Sequence, residues 1–197
     1  MKKALITIAV VIVALVVLLC GMGCSKYNSM TRQLQGVESA WSNVETQYQR
    51  RADLIPNLEA TVKGYAEHES STLQAVTEAR AKVGSMSINI EDLNEATLDK
   101  YTKAQNELSG ALKSLLAVSE AYPDLKANEN FMRFQDELAG TENRIQTARR
   151  DYNEVAREYN TQVSLFPNNI FAGFFGFSKK PYFQSAEGAE QAPKVSF

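Results

Sequence analysis

The chain has 197 residues, room for one ordinary domain and an anchor, and its aliphatic, aromatic and charged content is that of a folded protein. Its 21 basic and 23 acidic residues leave it nearly neutral, and without Lys2 and Lys3 the rest counts 19 basic against 23 acidic. A mildly acidic body excludes general nucleic-acid binding, which needs clustered Lys and Arg to displace phosphate counterions.

The first element is ALITIAVVIVALVVLLCGMG (Ala4–Gly23), with Thr7 as its only polar member. As a helix it measures roughly 30 Å, about one hydrocarbon thickness. Three origins compete for such a run: a retained transmembrane anchor, a lipoprotein signal acylated at Cys24, and a cleaved secretory signal. Gly23 and Ser25 suit lipidation of Cys24, although Gly21 and Met22 stand where a bacterial lipobox has Leu and a small residue. Cys20 follows Leu19 and suits it less, and the small-residue pattern of ordinary cleavage is poor. A retained anchor is favoured over lipidation, and both over simple cleavage. Lys2, Lys3 and the α-amino group precede the run and Lys26 and Arg32 follow it, with no acidic residue before Glu38, a small bias that puts the N-terminus inside and the body outside. Both cysteines lie at the membrane edge, which rules out a disulfide framework or a cysteine metal site in the body.

Residues 25–163 read as helix. From Tyr27 a seven-residue step visits Leu34, Trp41, Tyr48, Ile55, Val62, Glu69, Val76 and Val83, all apolar or aromatic except Glu69. A companion row runs Met30, Val37, Val44, Arg51, Leu58, Tyr65, Thr72 and Ala79. Two such rows form one stripe, and a strict seven-residue period predicts coiled-coil-like packing. A first helix is therefore expected over 27–83, with a kink at Pro56 or a break there in which Asp53 caps a second helix. Gly84, Ser85 and Ser87 mark a turn. A second helix is predicted over 90–122, its stripe running Leu93, Leu98, Tyr101, Ala104, Leu108, Ala111, Leu115, Val118 and Tyr122, with Pro123 ending it. A third, over 128–163, carries Phe131, Leu138, Ile145, Tyr152 and Tyr159 at a seven-residue step, with Phe134, Ala148 and Val155 in its companion row and Thr141 as exception. Short connections make the three antiparallel neighbours. The tail, 164–197, packs aromatics between Gly, Asn and Pro before a small, polar end.

Chemistry finds little support in these residues. The single histidine, His68, lies between Glu67 and Glu69, which point to either side of a helix rather than onto one site. One histidine cannot supply the two Glu-x-x-His motifs of a di-metal bundle. A Gly-rich phosphate loop, a G-x-S-x-G elbow and H-E-x-x-H are all missing. The expectation is no catalytic residue, no metal and no cofactor. Arg149, Arg150 and Arg157 are interleaved with acids and read as a salt-bridged surface. Arg51 sits on the stripe, where a charge must snorkel out or pair within the bundle. In the tail, Phe166, Phe171, Phe174, Phe175 and Phe177 either fold back to cap the bundle or, with Lys179 and Lys180, contact a lipid surface or partner protein. Phe171, Phe174, Phe175 and Phe177 are the candidate interaction surface.

An N-terminal membrane segment, then KYNSM, then VESAWSNVETQYQRRADLIPNLEATVKGYAEHES and VTEARAKV, resembles the LemA family of bacterial membrane-associated proteins. REYNTQVSLFPNNIFAGFFGF and KPYFQSAEGAEQAPKVSF look like the family's two C-terminal signatures, so the resemblance covers Tyr27–Phe197. It implies a predominantly α-helical antiparallel bundle with an N-terminal anchor, and no particular activity. The function expected is a non-enzymatic, single-pass scaffold of the bacterial membrane, its body extracytoplasmic, associating with itself or other envelope proteins. The alternative is a lipid- or ligand-binding module with a pocket between helices and tail.

Overall fold

A computed structural model describes residues 2–63 and 70–184. His68 with its neighbours Tyr65, Glu67 and Glu69, and the tail beyond Gln184, lie outside the described residues. The chain folds into α1 (Lys2–Lys63), α2 (Ser70–Gly84), α3 (Glu95–Ser119), α4 (Pro123–Lys126), α5 (Glu129–Ser164) and α6 (Asn168–Phe175). No strand occurs among the described residues, and the all-α class predicted from periodicity holds.

Local chemistry explains where these helices begin. Asn94 caps α3: its side chain accepts from the Thr97 amide (3.1 Å), and the Thr97 hydroxyl accepts from the Asn94 amide (2.9 Å). This reciprocal pair satisfies two of the donors that a helix start leaves over, so α3 begins at Glu95 rather than at residue 90. Asn128 Oδ1 does the same for α5, accepting from the amides of Asn130 and Phe131. Gly176, at φ +79°, closes α6 in the left-handed conformation that favours glycine, and the Phe177 amide reaches back to Ala172 O at 2.9 Å.

The chain divides into two compact units, Met1–Ala40 with Glu154–Lys180, and Trp41–Asn153 with Pro181–Phe197. In the second, side-chain pairings fix the helix directions. Glu59 and Ala52 of α1 meet Thr77 and Arg80 of α2, so α2 runs back along α1. Tyr48 packs on Tyr101 and Arg51 reaches Ser109, so α3 runs parallel to α1. Trp41 packs on Tyr152 and Arg51 pairs with Glu142, so α5 is antiparallel to it. The result is an up-down-up-down four-helix bundle.

The first helix expected over 27–83, kinked or broken at Pro56, is thus corrected: its second part folds back as α2. Val76 and Val83 belong to α2 and share one core with Ile55, Leu58 and Val62 of α1. A seven-residue step looks the same whether a helix continues or folds back, because each helix presents an apolar face to the other. Of the remaining stripes, Leu98, Tyr101, Ala104, Leu108 and Leu115 on α3, and Phe131, Leu138, Ile145 and Tyr152 on α5, are buried, whereas Val118, Tyr122, Ala148 and Val155 are only half-buried. On α3, Leu112 rather than Ala111 is in the core.

In the first unit α1 begins as a helix apolar all round. Ile8, Val10, Val11, Ile12, Val13, Leu15, Val16 and Val17 are each more than half exposed. A helix without a polar face that leaves its side chains uncovered matches a bilayer rather than a core. α1 is the one helix among the described residues long and apolar enough to cross a membrane.

Candidate functional site

In the first unit the site lies where the apolar run of α1 ends. Two rings of α6 sit on that point: a Cβ built on Gly23 would lie 3.6 Å from Phe171 and 4.0 Å from Phe175. One turn further along, Tyr27 meets Phe175 edge-on with centroids 5.1 Å apart and Phe177 at 5.6 Å. The other face of α6 is uncovered. Ile170 is 61% exposed and Phe174 82%, and Phe166 just before the helix is 80% exposed. Of the tail phenylalanines, then, Phe171, Phe175 and Phe177 fold back on α1, while Phe174 and Phe166 do not.

The second unit is organised by a buried cation. Arg51, 1% exposed, donates to Glu142 (2.8 Å), to the Gln105 carbonyl (3.1 Å) and to the side chains of Gln105 and Ser109. Its guanidinium also lies 5.3 Å from the Tyr48 ring centroid. This charged member of the stripe is paired inside the bundle, one of the two fates open to it. Burial raises the Tyr48, Tyr101 and Tyr152 phenols above their ordinary pKa, so they stay neutral hydrogen-bonding groups. Glu45 is also raised, chiefly by burial and partly offset by the Trp41 side chain.

Pro56 sits inside α1 on its exposed face. The break with Asp53 as cap is not found: the helix runs through, and Asp53 Oδ1 instead accepts from Gln49 Nε2 at 2.8 Å. Proline has no amide to offer the carbonyl four residues back, which is Ala52. That carbonyl accepts from Arg80 Nε of α2 at 3.2 Å.

Sequence reasoning missed two asparagines of α5. In the first unit, Asn160 Nδ2 donates to the Lys180 carbonyl and its Oδ1 accepts from the Lys180 amide, both at 2.8 Å. In the second, Asn153 holds Phe183 identically, at 2.8 and 2.9 Å. A side-chain amide here replaces the neighbouring strand that extended backbone would otherwise need. Tyr152 adds a bond to the Pro181 carbonyl, and Phe183 stacks on Trp41 at 15° with the Arg149 guanidinium 4.6 Å over its ring. The only signal was the seven-residue spacing of Asn153 and Asn160, which periodicity alone does not distinguish from polar side chains facing water. Cys24 is a free thiol exposed on α1. Among the described residues no three His, Cys, Asp or Glu side chains gather as metal ligands would.

A family model described as the LemA family matches residues 40–197. Among individual proteins, magnetosome protein MamQ 2 of Paramagnetospirillum magneticum is 28% identical over 176 residues, covering 81% of this chain and 65% of that protein. Protein LemA of Metamycoplasma hominis is 26% identical over 160 residues, covering 81% and 69%. Magnetosome protein MamQ of Magnetospirillum gryphiswaldense is 25% identical over 175 residues, covering 80% and 64%. The chain spans just under two thirds of the length of the MamQ relatives.

Proposed function

The chain belongs to the LemA family, and on that premise we propose that it is a non-enzymatic, membrane-anchored helical scaffold of the bacterial envelope. The carrying observation is that α1 joins, in one helix, a stretch able to span a bilayer and the first helix of a bundle. The bundle interior supports a structural role: Trp41, Ile55, Leu58, Leu108, Leu115 and Phe131 fill it, and the buried charge is neutralised by Glu142. The same proposal has Lys2 and Lys3 on the cytoplasmic side of the span and the body on the extracytoplasmic side.

Self-association, or association with other envelope proteins, uses a surface other than the long stripe of α1. Met30, Val37, Trp41, Val44, Tyr48, Ile55, Leu58 and Val62 of that stripe are already buried within the chain. Two measurements test the proposal. Full-length protein should stay with membranes through alkaline carbonate extraction, and its release would sink the anchor. Native mass in detergent should exceed that of a monomer as concentration rises; a monomer throughout would end self-association. The intact mass of membrane-extracted protein separates a retained anchor from acylation at Cys24.

A ligand-binding module is the second reading, favoured by one observation. A cleft of about 720 Å³ in the second unit is lined by Glu45, Tyr48, Tyr101 and Gln105 among others, and buried Gln105 Nε2 there makes no hydrogen bond. Small molecules released on denaturing the purified protein would support it, and an empty protein at native mass would count against it.

A further inference from the structure

We infer that α6 is a second membrane contact, lying in the headgroup layer of the bilayer that α1 crosses, with Phe166, Ile170 and Phe174 turned toward the acyl chains. The inference rests on the reading of α1 as the anchor. It is carried by where α6 sits, by what it leaves uncovered, and by the charge around it.

The position follows from helix geometry. The twenty-residue run ending at Gly23, apolar but for Thr7, spans about 30 Å, so Gly23 marks the edge of the hydrocarbon. The polar layer beyond that edge is roughly 5–8 Å deep on each side. Phe171 and Phe175 sit on Gly23, and Phe175 and Phe177 sit on Tyr27, four residues or about 6 Å further along the axis. α6 is thereby held inside that layer. Aromatic side chains concentrate at this depth in membrane proteins.

The uncovered face then has a natural occupant. Ile170 and Phe174 are one turn apart on α6 and 61% and 82% exposed, and Leu165 and Phe166, in the turn just before the helix, are 51% and 80% exposed. One phenylalanine so exposed is unremarkable, but a row of apolar side chains beside the end of a membrane span continues that span's lipid-facing surface. The surrounding charge agrees. Neither residues 1–37 nor residues 159–180 contain an Asp or Glu, while Lys26, Arg32 and Lys179 lie in them with side chains at least partly exposed; Lys180 is buried and takes no part. Cationic side chains flanking an apolar row suit a surface of anionic headgroups.

The test places a reporter on the row. Full-length Phe174→Trp protein is reconstituted into vesicles of phosphatidylcholine and phosphatidylglycerol, with or without acyl-chain bromines, beside the parent carrying only buried Trp41. Vesicle flotation reads the anchor independently. Brominated lipid should remove most of the added tryptophan's emission, and aqueous iodide should remove little. Loss of the lipid quenching in Phe166→Glu/Ile170→Glu/Phe174→Trp, with flotation retained, would show that the row itself sets the depth. An iodide-accessible, lipid-unquenched Trp in floating vesicles overturns the inference and leaves the anchor standing. Shielding from both quenchers also overturns it, because protein then covers the row. Failure to float overturns both.

Discussion

The Arg51–Glu142 pair should respond asymmetrically to losing either partner. Arg51's side chain is 2% exposed and Glu142's 36%. Removing Glu142 strands a buried guanidinium, and breaking a buried pair in this way costs about 3–5 kcal/mol. Water can reach the vacated edge, and Gln105 and Ser109 still accept from Arg51, so Glu142→Ala belongs at the low end, about 3 kcal/mol. Removing Arg51 frees a carboxylate that already meets solvent. Arg51→Met leaves the Gln105 side-chain oxygen and the Ser109 hydroxyl short of a partner, at about 1 kcal/mol each. The methionine recovers part of this by filling the space, for a net cost of roughly 1–2 kcal/mol. In a chain of this size the two changes correspond to Tm losses of about 6–12 °C and 2–8 °C. Thermal unfolding of the full chain in detergent, followed by near-UV circular dichroism of Trp41, measures both. The double variant should resemble Arg51→Met alone, since no charge is then left buried. The reasoning fails if Arg51→Met is the more damaging change, or if the two costs simply add.

Arg80→Ala should leave the Ala52 carbonyl without a partner, and Pro56→Ala should supply one. Pro56→Ala is therefore expected to stabilise more in the Arg80→Ala background than in the parent, by about 1 kcal/mol of coupling in a denaturation cycle; additive effects would refute the link. Asn160→Ala should speed hydrogen exchange at the Lys180 amide, and Asn153→Ala at the Phe183 amide. Unchanged protection at either would mean that the asparagines do not hold the segment. Glu45 has a raised folded-state pKa, so its protonation favours the fold: the benefit is present at low pH and is lost as pH rises from about 4.5 through the folded value. Glu45→Gln should flatten stability across that window, and an unchanged pH profile would remove Glu45 as its cause.

The fold was legible wherever apolar side chains repeat, as in α5, where Phe131, Leu138, Ile145 and Tyr152 all enter the core. The reversal between α1 and α2 was not, because Val62 and Val76 keep step on either side of it. Arg51 announced a problem in the pattern, but its solution lay 91 residues away on α5, and periodicity carries no information at that range. Gln105 and Asn160 lie off the apolar stripes yet are buried, since their hydrogen bonds are made only after packing. The tail's aromatics were legible as a cluster. Which of them fold back and which stay uncovered depends on where α6 meets Gly23, a fact of three-dimensional placement.

Apolar helix faces are forgiving partners: one ridge fits the next groove nearly as well, and a helix can slide by a turn without exposing much oil. The Ala52 carbonyl left over by Pro56 offers no such latitude. It is a keyhole at one address on α1, and Arg80 is the key on α2. A residue that weakens its own helix thus dictates which rung of α1 its neighbour must stand beside. A change at position 56 that restores the amide would strengthen α1 locally and blur the address, trading a unique alignment for a choice among several.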